Sequence, residues 1–330
     1  YDASGTSLVV GAKGTGESST YRIPDGTTTL GQYTLRGQEW VETLIIPGSV
    51  TSIGNYAFYG CINLKEVIFE EGTADLTIGN SAFYGCTALT SIEIPARTVS
   101  LGTSIFYGST SLSEITFAEG CKITQIPGSA FRGCTALTSI EIPAGVTEIG
   151  STAFRETSLT EMTFAEGCQL LEIGGSAFWG TSTLTSFTVP DTVNSIGNNA
   201  FQGTGITTIT FPLGVTTIGT YMFQDCVNLE SVTFLGNITS VGNYAFYNCS
   251  SLRSISLPAV TSIGGYAFYG CSSLSEIVLG DQLTSMVSNA YHSQLGNGGY
   301  AFYGCTSLTT IYLSAALSAI PTGTFYGCEN

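Results

Sequence analysis

Positive charge and histidine are scarce in this sequence. Its 9 Lys+Arg stand against 24 Asp+Glu, His292 is the lone histidine, and the formal net charge is −15. After Arg155 the next and last cation is Arg253, so the C-terminal half offers almost nothing to a phosphate backbone or an anionic lipid surface. That balance argues against nucleic acid and acidic membranes as partners. With no Cys-x-x-Cys pair and one histidine, a zinc site of clustered Cys and His is not expected, nor is a Ser-His-Asp or Cys-His nucleophile. A phosphate-cradling Gly-x-x-x-x-Gly-Lys loop is missing too, so neither a nucleotide nor any other cofactor is expected. No apolar run reaches the length of a membrane span, so membrane insertion by this segment is not expected.

Charged residues make up 10% of the chain and hydrophobic ones 43%, enough to bury a large core beneath an unusually uncharged surface. The core is specified by a repeat. Aligning on Ala-Phe-x-Gly-Cys places an aromatic at Phe58, Phe83, Phe106, Phe131, Phe154, Phe178, Phe201, Phe223, Phe246, Phe268, Phe302 and Phe325. The spacing is 22 to 25 residues throughout, except for 34 between Phe268 and Phe302. A degenerate turn at residues 23–37 carries Leu35 in the same column. One such unit cannot bury its apolar side alone, whereas stacked copies can, which makes the chain a solenoid of about 13 turns.

Residues 137–154 show the unit. Leu137, Ile140 and Ile142 set a Leu-x-x-Ile-x-Ile strand and Pro143 ends its pairing. Val146 and Ile149 suggest a second short extended piece, Gly150 a sharp turn, and Ala153-Phe154 a short helical or 3₁₀ turn that drops the ring into the core. In the first half, units with Ile-Pro after the strand alternate with units reading Phe-Glu-Glu-Gly (69–72) or Phe-Ala-Glu-Gly (117–120 with Gly120, and 164–167). The 48-residue spacing of Phe58 to Phe106 and of Phe83 to Phe131 marks duplication of a two-turn block whose added residues lengthen one edge loop.

The domain organisation expected is an N-terminal cap or leader over residues 1–22, with a strand at Leu8-Val9-Val10, then one repeat domain over 23–330 with an insertion near 281–299. Insertions in solenoids fall on loops that often shape a binding face, which singles out Tyr291 and His292, although a tolerated surface excursion is the simpler reading. The start at Tyr1 and the end just past a repeat motif suggest a trimmed chain whose signal and anchoring segments lie elsewhere.

The repeated Leu-x-x-Ile-x-Ile-Pro and Val-Thr-x-Ile-Gly-x-x-Ala-Phe-x-Gly-Cys, as in residues 89–95, 137–154 and 252–271, resemble the BspA-type leucine-rich repeats of bacteria and protists. The resemblance implies a right-handed, curved leucine-rich-repeat solenoid, mainly β with little helix, its parallel sheet on the concave face and short strands and 3₁₀ or helical turns on the convex side. It also implies export to the cell surface or beyond, and adhesion to host matrix proteins or to other microbes. It supplies no fixed set of binding residues.

Eight of the ten cysteines fall in one column: Cys61, Cys86, Cys134, Cys226, Cys249, Cys271, Cys305 and Cys328. Ser109, Thr157, Thr181 and Thr204 occupy it elsewhere, which favours a buried ladder of small hydrogen-bonding side chains. Neighbouring turns lie within disulfide reach, so a bridge such as Cys249–Cys271 stays open, whereas Cys121 and Cys168 stand two turns apart and out of reach.

The third and fifth strand positions point outward. They form rows that begin Glu66, Ser91, Glu114, Ser139, Glu161 and Ile68, Glu93, Thr116, Glu141, Thr163, then pass into a Thr/Ser surface that ends at Thr310 and Tyr312. Candidate ligand-binding residues are therefore Glu66, Glu93, Glu114, Glu141, Glu161, Tyr312, Tyr291 and His292. A solvated sheet face explains the acidic zigzag without chemistry, a calcium or cationic-partner site is the sharper alternative, and a two-carboxylate glycosidase the remote one. The residue after each Phe is often aromatic, from Tyr59 to Tyr326, and reads either as packing between turns or as a stripe for sugars or proteins. A surface module that binds a protein or glycan is the function expected, a spacer that presents another domain the alternative, and an enzyme is not expected.

Overall fold

The computed structural model describes residues 7–8, 19–287, 290–292 and 296–329. The chain forms two compact units, Tyr1–Leu170 and Leu171–Asn330, and each is a parallel β-solenoid in its own right.

Period-two alternation makes the longer strand of each turn. In Ser139–Ile142, Ile140 and Ile142 are buried while Ser139 and Glu141 face solvent. The strand pairs in parallel and in register with Glu161–Phe164, Ile140 beside Met162 and Glu141 beside Thr163. Ser91–Ile94 pairs with Glu114–Phe117 in the same way, and Thr20–Arg22, Thr43–Ile46 and Glu66–Phe69 form a three-stranded sheet. In the second unit Thr208–Phe211, Ser231–Phe234, Ser254–Leu257 and Glu276–Leu279 follow one another in sequence order. Stacking places each buried isoleucine against its copies above and below, and such a side chain contributes about 1.5–3 kcal/mol when removed from water.

The second extended piece is present as a parallel sheet of short strands: Ser7–Leu8, Thr29–Leu30, Ser52–Ile53, Leu76–Ile78 and Thr98–Leu101 in the first unit, Thr217–Ile218, Ser240–Val241, Ser262–Ile263 and Ser285–Met286 in the second. Ser7–Leu8 begins the strand expected near the N-terminus, while Val9 and Val10 lie outside the described residues. The glycine after this piece is required by close approach. A Cβ on Gly150 would sit 2.5 Å from the Gly128 nitrogen in the turn before, so no side chain fits without displacing backbone.

The Ala-Phe segment departs from expectation, since the described residues contain no helix or 3₁₀ helix. Its backbone alternates between two kinds of partner. The N–H groups of Tyr56, Phe58 and Gly60 donate to the carbonyls of Asn80, Ala82 and Tyr84 in the next turn, at 2.8, 2.9 and 2.7 Å. Those of Ala57, Tyr59 and Cys61 donate back to Gly54, Tyr56 and Phe58 within their own turn, at 3.3, 3.2 and 3.2 Å. Left-handed residues at Tyr56 (φ 57°) and Gly60 (φ 68°) permit this, and a run of right-handed φ would break it. The segment is a chain of tight turns that satisfies its polar groups across the stack.

Inside each unit the Phe column is a continuous pile of rings. Phe58, Phe83, Phe106, Phe131 and Phe154 are fully buried, with successive centroids 5.1 to 5.6 Å apart. Phe178 to Phe325 stack in the same way at 5.1 to 5.7 Å, with Phe325 at the end of the pile only half-buried. Two turns lack the regular long strand. Ser186 makes a single bridge to Thr208, and residues 309–313 make no strand pairing.

Candidate binding surfaces

Glu66, Glu93, Glu114, Glu141 and Glu161 all lie exposed on the long-strand face of the first unit. Register sets Glu93 beside Thr116, Glu114 beside Ser91 and Glu141 beside Thr163, so carboxylates alternate with hydroxyls down the sheet. This offset keeps like charges off directly facing positions. Among the described residues none of the five has a cation at ion-pair distance. The cations are engaged elsewhere: Arg22 with Asp25 and Glu70, Lys65 with Glu42, Lys122 with Asp75, and Arg132 and Arg155 with Glu156. Glu114, Glu141 and Glu161 meet around one shallow depression of about 350 Å³ whose floor includes Ile115 and Ile140.

Beside this face, the longer edge loops stand out as fins. A cleft of about 860 Å³ lies between the loop 69–73 and Ala118, with Glu93, Pro95, Ala96 and Arg97 from the intervening turn along its floor. A second, of about 450 Å³, lies between the loop 117–121 and Ala165, with Glu141, Pro143 and Ala144 along its floor. The duplication read from the spacing as architecture thus also makes two clefts of one build, with a predicted glutamate in each.

Arg97 is 6% exposed and packs beneath the first cleft. Its Nη1 donates to the carbonyls of Val50 (2.6 Å) and Ala74 (3.2 Å), while Nε and Nη2 have no partner. Burial pulls its guanidinium below the ordinary range.

Tyr312, Tyr291 and His292 belong to the second unit. Tyr312 is 81% exposed, within the segment that makes no strand pairing. Tyr291 and His292 lie on the strand Ala290–His292, which pairs antiparallel with Gly296–Gly298 and makes the insertion a small hairpin. Their side chains lie outside the described residues. The strand face of the second unit carries Thr208, Thr210 and Thr233 in register, all exposed.

The aromatic column after Phe is packing. Tyr59, Tyr84 and Tyr107 are half-buried with rings stacked at 4.7 Å, and Tyr247, Tyr269 and Tyr303 stack at 4.7 and 4.6 Å. A second tyrosine column was not foreseen. It runs two residues before Phe, through Tyr33 and Tyr56 in the first unit and Tyr221, Tyr244, Tyr266 and Tyr300 in the second, with centroids 4.9 to 5.3 Å apart. The two columns touch through tilted rings, as at Tyr244–Tyr247, 5.6 Å apart and inclined at 50°. Arg36 lies over both Tyr33 and Tyr59, at 5.2 and 5.1 Å, and Arg132 over Tyr107 at 5.1 Å. Ring faces are therefore largely occupied by one another, and Tyr266 is fully buried. Burial, then the neighbours Tyr221 and Tyr247, pushes the Tyr244 hydroxyl up to about 12.

All ten cysteines are free thiols. Those of the column donate to the carbonyl of the Phe or its equivalent one turn back, as from Cys134 to Phe106 (3.1 Å), Cys249 to Phe223 (3.1 Å) and Cys271 to Phe246 (3.1 Å). Ser109 makes the same bond to Phe83 at 2.9 Å, which is why serine can replace cysteine there. Burial pushes the Cys226 thiol up to about 11 and the Cys134 thiol up to about 12, far from the thiolate that nucleophilic chemistry requires. Among the described residues no group of three or more His, Cys, Asp or Glu could hold a metal ion, and no helix is long and apolar enough to cross a membrane.

Parallel strands, a stacked Phe column and turns of about 23 residues define a leucine-rich-repeat solenoid. The model of the BspA-type leucine-rich repeat region matches residues 13–76, 75–180, 171–297 and 298–330, and the chain belongs to that family. Its fold is similar to a leucine-rich repeat protein from Bacteroides ovatus, with TM-score 0.56 and 23% identity over 84% of this chain and 85% of that one. It is also similar to the pneumococcal vaccine antigen PcpA, with TM-score 0.60 and 22% identity over 87% of this chain and 76% of that one. No curated protein matches the chain significantly.

Proposed function

We propose that this chain is a non-catalytic binding module that acts at the cell surface or outside the cell and recognises a protein or a glycan through its repeat surface. The observation that carries this is the exposed, cation-free row of Glu66, Glu93, Glu114, Glu141 and Glu161, three of which converge on one depression beside the clefts. Carboxylates left unpaired on a rigid sheet form a preorganised surface that a complementary partner can engage at little ordering cost. Membership of the repeat family and the fold shared with an antigen of pneumococcus support an extracellular setting. The hairpin bearing Tyr291 and His292, and Tyr312 on the final turn, are secondary contact points.

An array of matrix proteins and glycans, probed with the intact protein and with an E114Q/E141Q/E161Q variant, tests this reading. Saturable binding by the parent and its loss in the variant are expected. Undiminished binding in the variant removes the strand face from the site, and turnover of a glycan by the parent overturns the non-catalytic assignment.

A further inference from the structure

The three long loops of the first unit are spaced at two turns. Each ends in a sharp bend, with left-handed glycine at Gly120 and Gly167 (φ 78° at both), and Gly72 of the first packs so close to Gly48 that a Cβ would lie 2.3 Å from its carbonyl oxygen. The fins are therefore fixed by backbone contacts to the solenoid. The clefts between them repeat with the same two-turn step, about 9.5 Å from the spacing of neighbouring strands.

A ligand that fits both clefts must present matching groups at that interval. A polyproline II strand does so intrinsically, because three residues at about 3.1 Å each advance about 9.3 Å and return a side chain to the same face. The clefts also fix its charge. Glu71 and Glu93 border the first and Glu119 and Glu141 the second, all exposed and none in an ion pair among the described residues. Pro95 and Pro143 supply apolar floors on which proline rings and the methylene stems of basic side chains can lie.

We infer that this edge is a docking site for a proline-rich segment of a partner protein in polyproline II conformation, carrying lysine or arginine at every third residue, with one basic side chain seated in each cleft. The inference rests on the binding-module reading and names its partner class. The clefts are unequal, because the Arg97 guanidinium under the first offsets part of its acidic field while the second has no cation in its lining. Glu141 therefore contributes more to a cation's binding than Glu93.

Fluorescence anisotropy with the full chain and labelled peptides tests this. The probes are four Lys-Pro-Pro repeats, the same residues with the lysines grouped at one end, and four Gln-Pro-Pro repeats. The spaced lysine peptide is expected to bind about tenfold more tightly than the grouped one, and the glutamine peptide not to bind. E93Q/E141Q is expected to lose about tenfold, with E141Q the more damaging single change. Ala118→Trp, which closes both clefts at a half-buried position, is expected to abolish binding while circular dichroism stays unchanged. Equal affinity for spaced and grouped lysines, or unchanged binding in E93Q/E141Q or A118W, overturns the proposal. So does saturable binding of a neutral β-linked oligosaccharide to these clefts. If the peptides fail while an array ligand still depends on Glu114, Glu141 and Glu161, this inference falls and the binding-module reading stands.

Discussion

Removing one ring from the Phe column should cost far more than removing its stacking alone, and Phe106 separates the two. It is fully buried between Phe83 and Phe131, 5.6 Å from each. Phe106→Ala forfeits transfer of the ring, about 2–3 kcal/mol, and two stacked contacts at about 1 kcal/mol each. The total, about 4–5 kcal/mol, agrees with buried Phe→Ala changes elsewhere. Phe106→Leu keeps most of the volume and loses the stacks, and the column already accepts Leu35, which is 1% exposed, so about 1–2 kcal/mol is expected. Urea unfolding followed by circular dichroism measures both, with the slope checked for the loss of cooperativity to which repeat arrays are prone. A cost for Phe106→Ala below about 1 kcal/mol, or equal costs for the two variants, would refute a core built on a ring stack.

Cys134→Ser should change stability by less than about 1 kcal/mol, because Ser109 already makes the equivalent bond one turn earlier; thermal melts check this. In the folded state Cys226, Cys249 and Cys271 should resist alkylation by iodoacetamide at pH 8 and react once urea unfolds the chain, as peptide mass spectrometry would show. The same burial makes stability fall in alkali. Cys134 is held near 12 in the folded state against about 9 when exposed, so its contribution is complete below pH 9. From there the unfolded chain ionises first, and stability falls by about 1.4 kcal/mol per pH unit for each such thiol until pH 12. A flat unfolding midpoint between pH 8.5 and 11 would contradict it. Gly150→Ala should cost about 1–3 kcal/mol, since its Cβ would press on the turn before, and a neutral result in the same urea assay would show that the turns can separate locally.

Much of this fold was legible because stacking converts sequence period directly into spatial columns. Ile140 and Ile142 went inward and Ser139 and Glu141 outward on alternation alone. What was not legible depends on neighbours in adjacent turns. A helical turn at Ala57-Phe58 suited local spacing, but the left-handed Tyr56 and hydrogen bonds to Asn80, Ala82 and Tyr84 are set by the next turn. The second tyrosine column was hidden because serine, threonine and asparagine share its position, at Ser81, Thr152 and Asn199. Its signal was the aromatic two residues before Phe in the turns of Phe58, Phe223, Phe246, Phe268 and Phe302. The acidic rows could be drawn from register, whereas the clefts could not, since they arise from loops two turns apart that only the stack places side by side.

The acidic strand face of the first unit is the proposed recognition surface. Binding of the intact protein to matrix proteins and glycans, compared with the E114Q/E141Q/E161Q variant at equal folded concentration, addresses it most directly. A saturable ligand is expected for the parent, bound at least tenfold more weakly by the variant and weakened by salt. A ligand bound equally well by both proteins would contradict it.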